Sequence, residues 1–280
     1  MILQDKGKME SSSLTQDMEF TAGSGAVLSP EQKASLQMSL ILLKNENKFR
    51  GLFFWGKIMG LSGDYYIAQG RWQHALSDRK RFYSKDCIKW NLLPEPDELM
   101  RENSRLMVGR FTGDPSHEFE HVEIKKVNGQ DEEFFTAMKE ENRLASVIAD
   151  IDDDAAIIPR GAYLRTPQGI VKPNKSFEGL SIADATKLES YLHFRDMAKM
   201  SGKEVSQRAD FNKSLDFLDP ISDDIPQGSW SIQSERGSGL VVLRSLIWFG
   251  LTFYHIPNTP QYGFMYMGSG ENNKDLPFML

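Results

Sequence analysis

The longest departure from an even mix of apolar and charged positions lies near the end of the chain. Between Gly237 and Gly270 only Arg244 carries a formal charge. Four strand-length runs fall in and just before this stretch: Trp230–Ser234, Leu240–Trp248, Leu251–Ile256 and Tyr262–Met267. They are parted by Gly237 and Gly239, by Phe249-Gly250, and by Pro257–Pro260. Connections this short between consecutive strands predict an antiparallel meander rather than parallel strands joined by helices. The unbroken apolar character of Leu240–Trp248 predicts burial on both faces. Phe264 and Tyr266 alternate with Met265 and Met267 in the last strand.

Upstream, Leu52–Met59, Asp64–Ala68, Arg81–Ser84 and Leu106–Phe111 also read as strands, and Ala156–Ile158 as a short one stopped by Pro159. Ser29-Pro30-Glu31-Gln32 is a helix start: Ser29 caps, Pro30 suits the first helical position and Gln32 completes a capping box. Leu36, Leu40 and Leu43 follow as its buried stripe. Phe134–Ile151 reads as a helix with Leu144, Val147, Ile148 and Ile151 on one face. Asp152–Asp154 should lie beyond its end, because carboxylates oppose the negative pole of a helix C-terminus. Ser181–Asp184 opens a third helix, with Ala185, Leu188 and Leu192 inward, and residues 196–228 read as loop with short helices. Residues 1–25 are polar, end in Gly23-Ser24-Gly25 and read as a flexible tail. The expectation is an α+β fold: a predominantly antiparallel sheet with a C-terminal β-meander and about three packing helices, forming one domain over residues 26–280.

Composition narrows the function classes. A chain of 280 residues that is 40% hydrophobic and 26% charged can bury a sizeable core. A net charge of −6 argues against a nucleic-acid partner. Residues 131–154 alone hold nine acids and two bases, a local −7, which leaves the rest of the chain at +1. A membrane span at Leu240–Ile256 is disfavoured by Arg244, His255 and the Phe249-Gly250 break, since a central Arg costs about 2.5–3.5 kcal/mol on insertion. Arg244 should instead find a carboxylate or carbonyl partner inside the protein. No apolar run of signal-peptide type opens the chain, so cytoplasm is the expected compartment. With Cys87 as the one cysteine, an intramolecular disulfide and a cysteine-based zinc site are excluded.

One catalytic pattern is present. His117-Glu118-Phe119-Glu120-His121 satisfies H-E-x-x-H, which on a helix stacks two imidazoles for zinc with Glu118 as general base. Asp114-Pro115 would start that helix, yet Phe119 to Lys126 reads equally as an exposed strand, and no motif supplies a third ligand. Asp150–Asp154 lacks the alternation and central Gly of a calcium loop and reads as a solvated acidic turn. The glycine pairs match no phosphate-binding motif, and no nucleophile elbow occurs.

Dispersed segments supply a more specific signal: Phe54-Trp-Gly-Lys-Ile, Asp64-Tyr-Tyr-Ile-Ala-Gln-Gly, Ile158-Pro-Arg-Gly-Ala, Phe177-Glu-Gly-Leu-Ser, His193-Phe-Arg, Leu240-Val-Val-Leu-Arg-Ser-Leu, Gly250-Leu-Thr-Phe-Tyr-His and Asp275-Leu-Pro-Phe-Met-Leu280. From about Leu28 onward the chain resembles the radial spoke head proteins of the axoneme in motile cilia and flagella. Residues 1–20 depart from that pattern, with Met9 the expected family start and an extension before it. The resemblance implies a structural, non-enzymatic part of the cytoskeleton with no cofactor. Its implied partners are the larger spoke head paralogues four and six, the MORN-repeat head subunit and, transiently, central-pair projections, through which dynein-driven beating is regulated. On this reading Trp230, Trp248, Phe264, Tyr266, Leu276, Phe278 and Leu280 are the candidate partner surface, and the acidic 131–154 segment is a candidate for the transient contact. The alternative is a zinc-dependent hydrolase using His117 and His121.

Overall fold

The computed structural model of the chain describes residues 14–25, 27–127, 130–196, 212, 214–235, 237 and 239–279. In chain order it forms α1 (Leu14–Thr21), α2 (Pro30–Glu46), β1 (Gly51–Ile58), β2 (Tyr65–Arg71), β3 (Arg79–Ser84), β4 (Asn91–Leu92), α3 (Glu98–Leu106), β5 (Glu118–Val127), β6 (Gln130–Lys139) and α4 (Glu140–Ala155). There follow β7 (Ile157–Pro159), β8 (Tyr163–Arg165), β9 (Val171–Pro173), α5 (Ile182–Ala185), β10 (Tyr191–His193), β11 (Trp230–Ser234), β12 (Val241–Ser245), β13 (Leu251–His255), β14 (Tyr262–Gly268) and α6 (Leu276–Met279). The α+β class and the C-terminal meander stand as expected.

Eight strands make one sheet in the order β11-β12-β13-β14-β1-β2-β3-β4. It consists of two antiparallel meanders, one from each end of the chain, joined by the parallel pairing of β1 with β14. That seam depends on a bulge: the register steps from Phe54↔Ala68 to Gly56↔Ile67, and Gly56 takes φ +146. A Cβ at Gly56 would lie 2.0 Å from the Tyr266 carbonyl oxygen, so only glycine lets the two meanders close on each other. Gly250, with φ +106, plays the same part between β13 and β14, where a Cβ would meet the Met267 carbonyl oxygen at 2.2 Å.

The pleat of β2 divides the layers. Tyr65 and Gln69 point to α4, where they bond Glu140 and Asp152, while Tyr66 points the other way and accepts from Gln32 of α2 at 2.7 Å. The sheet is thus sandwiched, and a single core cluster runs from Leu14 to Met267. The capping box at Ser29 forms with both hydrogen bonds, and Leu36, Leu40 and Leu43 are buried.

Several local expectations are corrected. Leu14–Thr21 is helical, not tail: Leu14 and Met18 are buried, and the Tyr254 hydroxyl donates to the Asp17 carboxylate. The other residues expected in the tail's first half, 1–13, lie outside the described residues. Leu106 ends α3 instead of opening a strand; the overlooked helix is capped by Asp97, whose Oδ1 accepts from Met100 N at 2.7 Å. Phe134 to Lys139 belong to β6, so the helix starts at Glu140 and runs through the three acids to Ala155. The helix at Ser181 is one turn, and Leu192 sits in β10. Most of 197–213 lies outside the described residues, and Ile221–Asp223 forms a 3-10 turn. Among the described residues no helix is long and apolar enough to cross a membrane.

Candidate interaction surface

The zinc pattern loses its helix. Glu118–Val127 is a strand, and four residues along an extended chain span about 13 Å, too far for His117 and His121 to share one ion. No group of three His, Cys, Asp or Glu able to hold a metal occurs among the described residues. The zinc-hydrolase alternative is corrected accordingly.

The acidic segment is likewise not a solvated turn. Asp152, 1% exposed, accepts from Trp55 Nε1 at 2.7 Å, Gln69 Nε2 at 3.2 Å, and Arg81 Nε and Nη2 at 3.1 and 2.7 Å. Asp153 pairs with Arg101 at 2.6 Å, and Asp150 with Arg101 and Arg105 at 3.4 and 3.2 Å. Asp154 accepts from Trp248 Nε1 at 2.9 Å, and burial raises its carboxyl above the ordinary range. Glu140, fully buried, takes bonds from Tyr65 OH, Thr112 N, Thr112 Oγ1 and Gly113 N between 2.7 and 2.9 Å. Five of the nine acids are therefore held by donors from other elements, and for the two that are buried, Glu140 and Asp152, these donors compensate the desolvation. Arg244 finds a neutral partner, not a carboxylate: Nη1 donates to Gln233 Oε1 at 2.6 Å across the β11–β12 pairing, and the side chain is half-buried.

The expected partner surface divides. Trp230 and Trp248 are buried, at 6% and 4% exposed, and their indole N–H groups are held by Asp224 and Asp154 at 2.7 and 2.9 Å. Phe264 packs edge-on to Phe53 with centroids 6.3 Å apart, and Tyr266, fully buried, lies 5.3 Å from Trp55. These four residues are core. Leu276 is buried as well and anchors α6, whose approach is pinned by Asn273: its N donates to Ile247 O at 2.8 Å and its Nδ2 to Leu246 O at 3.0 Å. Phe278, in contrast, is 89% exposed; Leu280 lies outside the described residues.

Beside α6 opens a cleft of about 350 Å³ walled by Asp154, His193, Asp224, Ile225, Ile247 and Leu276, among others. His193 Nε2 and Asp224 Oδ1 are 2.7 Å apart across it. Its rim carries Ile225, 91% exposed and not among the residues expected at the surface, and α6 adds Met279, 67% exposed, next to Phe278. Ile225 is a single apolar residue in a polar loop, which periodicity does not register, whereas Met279 belongs to the apolar run Leu276-Pro-Phe-Met-Leu280. What the arrangement offers is a knob: a one-turn helix tied down by Asn273 and Leu276, presenting Phe278 and Met279 beside the cleft.

A family model described as radial spokehead-like protein matches residues 3–143. Radial spoke head protein 9 homologues from Homo sapiens, Bos taurus and Danio rerio are 52%, 51% and 47% identical to the chain, covering 97% of it and 100% of their own lengths.

Proposed function

Since the chain belongs to the radial spokehead-like family, we propose that it is a non-catalytic subunit of the radial spoke head in the axoneme of motile cilia or flagella. The chain from Leu14 onward acts as one α+β block that assembles with the larger spoke head paralogues four and six and with the MORN-repeat subunit. The assembled head meets central-pair projections transiently and so helps to regulate dynein-driven beating. The family identity supports the compartment and the class of partner.

The observation that carries a partner-binding role is α6. Leu276 is buried while Phe278 and Met279, two and three residues on, are 89% and 67% exposed. A chain that anchors a helical turn in its core and turns two large apolar side chains to water marks a contact site. The test is a Phe278→Asp, Met279→Asp double substitution, with Leu276 left in place so that the core is undisturbed. Co-assembly with a larger spoke head paralogue should weaken by at least about tenfold, while the thermal midpoint stays within error of the parent. Assembly at parental affinity would sink the proposal.

A further inference from the structure

β5 and β6 form a two-stranded ribbon that joins no other strand among the described residues. Its base is anchored: Met138 is buried, and the Arg143 guanidinium lies 4.4 Å from the Phe119 ring centroid. β6 leans on α3 and α4, which leaves β5 as the outer strand. A lone pair of strands is marginal in water, and an open edge is a template for another strand.

The phase of that edge follows from one bond. Glu140 N donates to the His117 carbonyl at 2.7 Å, and the ladder continues with Glu118 opposite Lys139. Antiparallel alternation then turns the backbone N–H and C=O of Glu120, Val122 and Ile124 away from β6. On the same pleat face Val122 stands opposite Phe135 and Ile124 opposite Glu133. Val122, Ile124 and Phe135 are 51%, 64% and 62% exposed. Outward hydrogen-bonding groups and an apolar strip therefore coincide.

Charge order along β5 selects the occupant. Its acids come first, at Glu118, Glu120 and Glu123, and its lysines last, at Lys125 and Lys126. Laid antiparallel on itself, the strand brings its acidic half over its basic half. Centred on Val122, this pairing sets His121 opposite Glu123 and Glu120 opposite Ile124, with no like charges facing. Centred on Glu120 it would set that carboxylate against its own copy.

We propose that β5 pairs antiparallel with β5 of a second copy of this chain, centred on Val122, so that two ribbons become one four-stranded sheet. The three central residue pairs supply about six hydrogen bonds between the chains. The apolar strip runs continuously across the twofold axis. None of the residues of the α6 surface takes part, so failure here would leave the proposed function standing.

The test uses the purified full chain, weighed by light scattering after gel filtration over a roughly hundredfold concentration range. A dimer is expected to form with rising concentration. Val122→Lys, which opposes two ammonium groups at the axis, should raise its Kd by at least about tenfold. His121→Glu, which faces Glu123 of the second copy, should weaken it too and guards against misfolding of the first variant; circular dichroism checks both. Register is read by oxidation. Val122→Cys should cross-link, because hydrogen-bonded antiparallel partners lie about 5.5 Å apart at Cα. Glu120→Cys should not, its own copy being about 13 Å away along the strand. A chain that stays monomeric throughout, a dimer indifferent to both substitutions, or equal cross-linking at the two positions would each overturn the pairing.

Discussion

His255 shows how burial sets the chemistry of one residue. Its Nε2 accepts from Leu180 N at 3.1 Å, so the ring proton sits on Nδ1 and is donated to Gln261 O at 3.0 Å. Both nitrogens are satisfied by the neutral ring, and burial pushes the pKa down to about 4 from 6.5. Between those values the unfolded chain holds the extra proton and the folded one does not. Stability present above pH 6.5 is therefore lost as pH falls toward 4, by on the order of 3 kcal/mol. Urea unfolding at a series of pH values should show a steeper fall for the parent than for His255→Gln; parallel falls would refute this. In the sequence His255 counts against a membrane span and belongs to one of the segments that carry the family resemblance. Sequence reading had no way to see Leu180, seventy-five positions away. Cys87 was legible as unpaired, and burial pushes its thiol up to about 12, away from the reactive thiolate form.

At the scale of elements, the clearest lesson is the C-terminus of α4. Helix-dipole reasoning ended this helix before Asp152, yet it runs through three carboxylates to Ala155. The local penalty, up to about 1 kcal/mol for each exposed charge, is outweighed by guanidinium, indole and amide donors arriving from β1, β2, β3, α3 and the loop after β12. Asp152→Ala should accordingly cost about 3–5 kcal/mol by leaving Arg81 and the Trp55 indole without their partner. Asp153→Ala, whose carboxylate is 42% exposed, should cost no more than about 1 kcal/mol. Denaturant midpoints of the two variants decide it, and comparable losses would contradict the assignment. Elements with a strong local signal, such as the Ser29 cap and the strand at Trp230–Ser234, were read with their true limits. The β5–β6 ribbon was half missed because Phe134 to Lys139 has a mixed pattern that suits helix and strand equally.

For the whole molecule, the ends of the chain hold it together. β1 lies beside β14, and α1 packs over the meander, where Phe20 stacks 5.0 Å from Tyr254 and Asp17 accepts its hydroxyl. Leu14 is fully buried in that contact. Leu14→Ala should therefore lower unfolding stability by about 2–5 kcal/mol; a flexible tail would give no change. Thermal and chemical denaturation distinguish the two. The same closure explains the candidate surface. The apolar meander expected to meet a partner is already covered by α1 on one face and by β10 on the other, where Tyr191 meets Phe253 at 5.5 Å. Phe278 and Met279 of α6 lie outside that cover.

By itself the sequence determined the α+β class, the C-terminal meander, the capped second helix, the absence of a membrane helix at Leu240–Ile256 and the family. Each of these rests on short-range patterning, turn residues or matches dispersed along the chain. Tertiary structure alone decided that Trp230, Trp248, Phe264 and Tyr266 are core and Phe278 is surface, that Glu140 and Asp152 of α4 are buried, and that the two meanders share one sheet. The physical reason is common to all three. Apolar side chains and carboxylates do not announce their partners, and the partners here come from elements tens to hundreds of residues away.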